Sequence, residues 1–363
     1  WIVAGLVDLA AIATAAPAHN LGIGLVRNAL LESLHQQKGR LYWWLTLLYG
    51  RSTMVRVRDA FGSTSGLHRQ PSAEQRAYLL ETIDLLIAKR YTKLLLPLLD
   101  ELTPAQQQAR LAADFPQPAQ TAQQRLHAIA TSNAPWVSAW LRAVALYTSA
   151  QLDLDDAALA TLQQIVEELI TSPEELLRQT AAWVLRQLAG KTQIEPTNGN
   201  LHISLTTSGD KAMLLTIEKV IVLRTVDLFA GTPDEILGEI AALLKEIEVP
   251  AGATIFAQGE QGDSMYIIVE GVVDALDGDQ VFTQMGERQV FGEMALLDGE
   301  PRTATIRAAQ PTRLLRLDQE PFYELMEDRL EIARGVIHIL LRRLRARTND
   351  VIRLQAQMTA STT

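Results

Sequence analysis

The sequence predicts an α+β protein in two parts, an N-terminal α-solenoid of stacked helical pairs followed by a small β jelly-roll barrel flanked by helices. Three observations predict it. Up to Gly190 the apolar residues recur at spacings of three and four, as in Leu159, Leu162, Val166 and Leu169 and again in Leu177, Ala181, Val184 and Leu188, the period of a helix with one buried face. Residues 191–210, KTQIEPTNGNLHISLTTSGD, lose that period and carry Pro196, Asn198-Gly199 and Gly209, which marks a linker. Beyond Ile247, short β-rich runs alternate with glycine turns at 252, 259, 262, 271, 278 and 286, the punctuation of a small antiparallel barrel.

Taken in order, the opening run to Val26 is apolar but interrupted by Asp8, Pro17, His19 and Asn20. Leu9 to Leu25 falls short of the roughly 20 residues that span a bilayer, so a packed helix is expected. A first residue Trp1 leads to the expectation of a processed or excised piece of a longer chain. Four helix starts carry a hydroxyl followed three residues on by Glu or Gln: Ser72/Gln75, Thr103/Gln106, Ser172/Glu175 and Thr232/Glu235. The starts at Ser72 and Thr103 lie 31 residues apart and Asn133-Ala-Pro135 marks another, a spacing that suggests an irregular solenoid. Helices are expected over about Lys211–Arg224 and Thr232–Glu246. Strands follow at Thr254–Phe256, Met265–Val269, Val272–Leu276, Thr305–Ala308 and Arg313–Leu317, and helix returns from Pro321.

Composition removes whole classes of function. The 363 residues carry 33 Lys+Arg against 42 Asp+Glu, and a net charge of −9 disfavours nucleic acid as the main ligand, because that affinity comes largely from basic groups on phosphates. There is no cysteine, which excludes disulfides and thiolate chemistry and fits a cytoplasmic location. The six histidines, at 19, 35, 68, 127, 202 and 338, show no ligand spacing, so no metal and no catalytic residues are expected. Ala189-Gly190-Lys191-Thr192 imitates the end of a P-loop, but Leu185 stands where that pattern needs glycine. Gly62-Ser63-Thr64-Ser65-Gly66 has threonine where a nucleophile elbow needs serine.

The informative segment is Gly286 to Ala308, GERQVFGEMALLDGEPRTATIRA. Phe291-Gly292-Glu293 follows a strand, and Met294 to Leu297 can form one helical turn whose free amides favour an anion. Nine residues after Glu293, Arg302 returns through the turn Asp298-Gly299-Glu300-Pro301 and brings a guanidinium to the same place. An ionised Glu293 accepts hydrogen bonds only, so it suits a sugar hydroxyl rather than a phosphate oxygen. Carboxylate, arginine and helix start together describe a ribose phosphate.

These residues resemble the cyclic nucleotide-binding domain, whose phosphate cassette has the form FGE-[LM]-AL-L-xxx-PR-x-AT. Gly262-Asp263, Tyr266, Gly271 and Gly286 fall where that family has its upstream turns. The resemblance covers roughly Val226 to Arg347 and implies a cAMP or cGMP ligand, with cAMP favoured. It also implies that Glu293 receives the ribose 2′-hydroxyl, that Arg302 pairs with the cyclic phosphate, and that Phe291, Gly292, Met294, Ala295 and Thr303 complete the cradle. Thr303 is associated in the family with tolerance of cGMP. Val336, Ile339, Leu340 and Arg343 of the C-terminal helix are the expected base lid.

Arg76 to Leu102 and Met213 to Gly231 resemble the HEAT-repeat region that precedes such domains in bacterial proteins, some with a transporter as their front half. The expected divisions are a HEAT-like domain at 1–190, a linker at 191–210, the nucleotide domain with flanking helices at 211–348 and a tail at 349–363. The expected function is a non-enzymatic sensor that transmits ligand binding to the helical repeats. Its expected partner is a protein or a linked membrane domain, at the inner face of the membrane in the latter case. The alternative is an interaction scaffold whose barrel binds nothing. A catabolite-activator-type regulator needs a DNA-binding helical domain that the residues beyond Arg347 are too few to form.

Overall fold

The computed structural model describes residues 4–8, 21–49, 72–100, 102–190, 213–229, 232–278, 280–330, 332–337, 340–341 and 345. The chain divides into two compact units, Trp1–Pro196 and Thr197–Thr363. The expected linker at 191–210 and tail at 349–363 lie outside the described residues.

The described part of the first unit is helical: α1 (Leu21–Tyr49), α2 (Ala73–Leu86), α3 (Lys89–Leu99), α4 (Pro104–Leu111), α5 (Ala122–Ala130), α6 (Ala139–Gln151), α7 (Asp156–Leu169) and α8 (Glu175–Gly190). Its centre is α6, buried from Trp140 to Ala150 apart from Arg142, which packs against α1, α5 and α8. Tyr147 stacks on Trp183 with ring centroids 4.7 Å apart. A second cluster joins Tyr42 and Leu45 of α1 to Ile83, Ile87 and Leu99.

The capping signals fared unequally. Thr103 and Gln106 form the expected reciprocal box, and Thr121 with Gln124 forms another that the sequence reading passed over. At Ser172 the hydroxyl accepts from the Glu174 amide, while the Glu175 carboxylate turns to Arg178 and Gln179. At Thr232 no box forms, because Pro233 takes the N-cap position and the helix starts one residue later.

The second unit opens with α9 (Thr216–Leu223), a 3₁₀ turn (Asp227–Phe229) and α10 (Asp234–Leu243). Eight strands follow, β1 (Lys245–Val249), β2 (Thr254–Phe256), β3 (Ser264–Glu270), β4 (Val273–Asp277), β5 (Gln280–Met285), β6 (Val290–Phe291), β7 (Thr305–Ala308) and β8 (Thr312–Asp318). Between β6 and β7 lies α11 (Glu293–Asp298), and α12 (Gln319–Asp328) follows β8. The strands form two antiparallel four-stranded sheets, in the orders β1-β8-β3-β6 and β2-β7-β4-β5. This corrects the expected barrel: among the described residues no ladder joins the sheets, and the fold is a two-sheet sandwich. Closure fails at short edges. β6 has two residues, and between β1 and β2 Pro250 lacks the N–H to extend a ladder. Phe256, Tyr266, Ile268, Val273, Ala275, Phe291, Ile306 and Leu314 fill the space between the sheets.

The helix expected to reach Glu246 stops at Leu243, and Lys245–Val249 is strand instead. Its odd members Ile247 and Val249 pack on the sandwich core, a period of two that overrides the helical reading. A buried ionic group fastens this junction: Glu246 pairs with Arg313, with side chains 7% and 3% exposed, and accepts from the Leu214 amide at 3.0 Å. Lys219 donates to the Leu244 carbonyl at 2.8 Å.

Arg313→Ala leaves Glu246 buried without its cation and is expected to cost about 3–5 kcal/mol of stability in urea denaturation. Arg329→Ala, which breaks the more exposed pair with Glu239, is expected to cost about 1 kcal/mol or less. In the first unit, burial holds His35 and His127 below the ordinary histidine value of 6.5, Lys38 adding to the effect at His35. The unfolded chain therefore takes up protons before the folded one does, so their contribution is complete above about pH 6.5 and is lost as pH falls below it. Thermal melts between about pH 7.5 and 5.5 are expected to show this slope for the first unit, with His127→Gln reducing it and His35→Gln/His127→Gln flattening it.

Candidate anion site

The sandwich places one arginine where a cation needs a reason to be. Arg302 is 6% exposed, and among the described residues it makes no ion pair. Its backbone is pinned: the Arg302 amide donates to the Glu260 carbonyl and its carbonyl accepts from Gly259, both at 2.8 Å, beside a bridge between Gln261 and Pro301. Its guanidinium lies 4.0 Å above the centre of the Phe256 ring, and Phe256, Tyr266 and Phe291 cluster with centroids 5.2 to 5.9 Å apart.

The donors of Arg302 divide into a used edge and an unused one. Nη1 donates to the Ser264 carbonyl at 2.7 Å and to the Gly292 carbonyl at 3.3 Å, and Nη2 donates to Ser264 Oγ at 3.1 Å. Nε is buried and has no hydrogen-bond partner. Of five N–H donors, two remain, on Nε and on the outer side of Nη2, and these lie parallel on one edge, the pair that meets two oxygens of a phosphate or carboxylate. Burial pushes the Arg302 guanidinium below its ordinary value, against the pull of Tyr266, Asp263 and Glu260.

Two glycines make the packing possible. Gly292 has φ +75°, which turns β6 into α11, and a Cβ there would lie 2.5 Å from Arg302 Nη1. At Gly262 a Cβ would overlap that of Ala295 and stand 3.0 Å from Arg302 Nε. The far wall is tied to the helix after the sandwich. Gln319 Nε2 donates to the carbonyls of Ala295 and Leu296 at 3.1 and 3.2 Å, the Tyr323 hydroxyl donates to Leu297 at 2.6 Å, and the Gln319 amide donates to Asp263 at 2.7 Å.

Of the residues expected from sequence, Gly292 meets Arg302 at Nη1, on the used edge, and Ala295 packs on Gly262, which stands beside Nε. Phe291 points into the sandwich core, 4% exposed. Glu293 is half-buried at the first position of α11, and Met294 is 58% exposed. Thr303 is exposed; its carbonyl accepts from Gln258 Nε2 at 3.2 Å and its hydroxyl has no hydrogen-bond partner among the described residues. Of the expected lid, Val336 is buried and Leu340 is 42% exposed, while Ile339 and Arg343 lie outside the described residues. Sequence reasoning missed Ser264, Gln319 and Tyr323. Ser264 alone left a signal, a small hydroxyl opening a strand directly after a Gly-Asp turn. Among the described residues no group of three or more His, Asp or Glu could hold a metal ion.

Residues 246–329 match the family described as the cyclic nucleotide-binding domain, and they form such a domain. The chain is 32% identical over 135 residues to a CRP-like cAMP-activated global transcriptional regulator of Mycobacterium tuberculosis, covering 36% of this chain and 60% of that protein. It is 43% identical over 108 residues to a cyclic nucleotide-gated potassium channel of Mesorhizobium japonicum, covering 30% of each. Among solved structures it is similar to the N-terminal domain of a transcriptional regulator from Streptomyces coelicolor A3(2), at 34% identity and a TM-score of 0.34, covering 36% of this chain and 94% of that one. The chain thus spans 60% or less of the length of these two curated relatives, a regulator and a channel.

Gly262→Ala is expected to destabilise the protein by about 1–3 kcal/mol, since neither Ala295 nor the pinned Arg302 can yield to a new methyl group. Gly286→Ala, with open space around its Cβ, is expected to stay within about 0.5 kcal/mol in the same denaturation experiment.

Proposed function

We propose that the chain is a non-enzymatic sensor whose second unit takes up a cyclic nucleotide and passes that event to a HEAT-like helical domain. The supporting observation is the buried Arg302, with two parallel donors unspent and no carboxylate partner. Burying an unpaired charge is costly, and a bound phosphate would supply both the missing counter-ion and the missing acceptors. In this reading Arg302 holds the cyclic phosphate, Glu293 accepts from the ribose hydroxyl, and Gly292, Ala295 and Thr303 line the cradle. Phe291 supports it from within and Met294 borders it. Thr303 and the lid of Val336, Ile339, Leu340 and Arg343 contact the base. cAMP is the preferred ligand, in keeping with the cAMP-activated mycobacterial relative.

Transmission runs through α11 and α12, joined by Gln319 and Tyr323. A differential affinity of about 1 to 3 kcal/mol between two arrangements of these helices is the coupling on offer. The working divisions are the helical solenoid at 1–190, a linker at 191–210, the sensor at 211–348 and a tail at 349–363, in a cytoplasmic protein whose helical domain meets a protein partner or a linked membrane domain. One observation favours the alternative of a scaffold that binds nothing: Nη1 already has protein acceptors and Nε is shut from solvent.

Calorimetric titration of the purified chain with cAMP and cGMP separates the two. Saturable binding is expected, weakened by Arg302→Ala by about 1.5–3 kcal/mol, the worth of a charge-assisted contact, and by less in Glu293→Ala, which loses one sugar hydrogen bond and relieves a negative charge near the phosphate. No heat and no thermal shift at millimolar nucleotide (a concentration about at the −4 kcal/mol limit of useful affinity) would leave the scaffold standing.

A further inference from the structure

The last turns of α1 are apolar on two opposite faces. One face, Tyr42 and Leu45, is buried against α2 and α3. The other carries Trp43, Trp44, Leu47 and Leu48, exposed by 59, 65, 74 and 71%. With the exposed Arg40 they fall at i, i+3, i+4, i+7 and i+8, one continuous stripe. Single apolar side chains in water are ordinary, but two tryptophans and two leucines side by side mark a contact surface.

We propose that this stripe docks the helical unit on an anionic lipid surface, with the indoles at headgroup level and the leucines beneath them. Charge selects that occupant. From Ser33 to Arg58 the sequence has no Asp or Glu but five basic residues, Lys38, Arg40, Arg51, Arg56 and Arg58, in a chain of net charge −9. Arg40 stands on the stripe itself and Lys38 is half-buried nearby in sequence; the other three lie outside the described residues and contribute here as sequence charge only. Tryptophan, leucine and a basic flank are the composition of a helix that lies at the bilayer interface. The face opposite is committed to the protein core, and no helix among the described residues is long and apolar enough to cross a membrane, so the contact is shallow. It is confined to α1, because α2 exposes Tyr78 and Leu85 among Glu74 and Glu81, which anionic lipid repels. A symmetric pairing of two copies through the stripe would instead cover the charge of Arg40 in both copies with no acidic residue on the stripe to answer it.

Flotation of the full chain with vesicles, without nucleotide, tests this independently of the sensor reading, since the cassette is untouched. Flotation is expected with vesicles containing phosphatidylglycerol and not with phosphatidylcholine alone. It should bring a blue shift of tryptophan emission and be reversed by high salt. Trp44→Ser/Leu48→Ser is expected to lower partitioning at least about tenfold with unchanged circular dichroism, and Arg40→Glu to lower it as well. The proposal is overturned by absence of flotation or by equal flotation of the double variant. It is also overturned if light scattering shows an oligomer that the double variant dissolves while vesicle binding is absent.

Discussion

A guanidinium buried without a carboxylate beside it is the constraint around which the second unit is arranged. Left in an apolar interior, Arg302 would cost several kcal/mol. The sandwich offsets part of that cost with three hydrogen bonds from one edge and the face of Phe256, and neither device neutralises the charge. Much of the local architecture serves to make those contacts possible. β3 begins at Ser264 so that both oxygens of that residue face the arginine, β6 stops after two residues so that the Gly292 carbonyl does the same, and the loop at 259–261 pairs with the Arg302 backbone.

Among the described residues, two other buried arginines show what this one lacks. Arg125 in the first unit has Asp8 at 2.8 Å, and Arg313 has Glu246. Both are ion pairs internal to a fold, and removing either partner is expected to leave the other buried and uncompensated. Arg302 and Arg313 lie eleven residues apart and bracket β7, in the same sandwich and at similar burial, 6% and 3%. Burial therefore does not distinguish them. The difference is electrostatic: Arg313 has a carboxylate partner within the fold, and Arg302 has none among the described residues.

What the sequence made legible follows the same division. The cassette from Phe291 to Thr303 could be read because glycine, proline and arginine there answer to backbone geometry and charge, which few other residues satisfy. The helical period of the first unit was legible for the equally local reason that one face is buried. β5 was not, since QVFTQM is exposed nearly throughout and buries no alternating face. The first two residues of β1, Lys245 and Glu246, read as the end of a helix, and its strand period shows only from Ile247 and Val249. Barrel against sandwich could not be decided from strand spacing, because closure depends on pairing between edges remote in sequence. Gln319 escaped for a related reason: its amide group reaches back 24 residues to Ala295, a distance no local pattern encodes.

That long reach bears on how binding and transmission relate. The unspent edge of Arg302 faces Gly262 and Ala295, whose approach leaves Nε shut from solvent. For two phosphate oxygens to reach Nε and Nη2, either the turn at 262–263 or the start of α11 must give way. Each is tied to Gln319, the first through the Asp263 carbonyl and the second through the carbonyls of Ala295 and Leu296. Neither wall can move without breaking a hydrogen bond to the first residue of α12 or drawing that residue along. In the proposed sensor, an anion that engages the free edge would therefore select a different setting of α12 by the act of entering, with no separate relay between the arginine and the helix that follows β8.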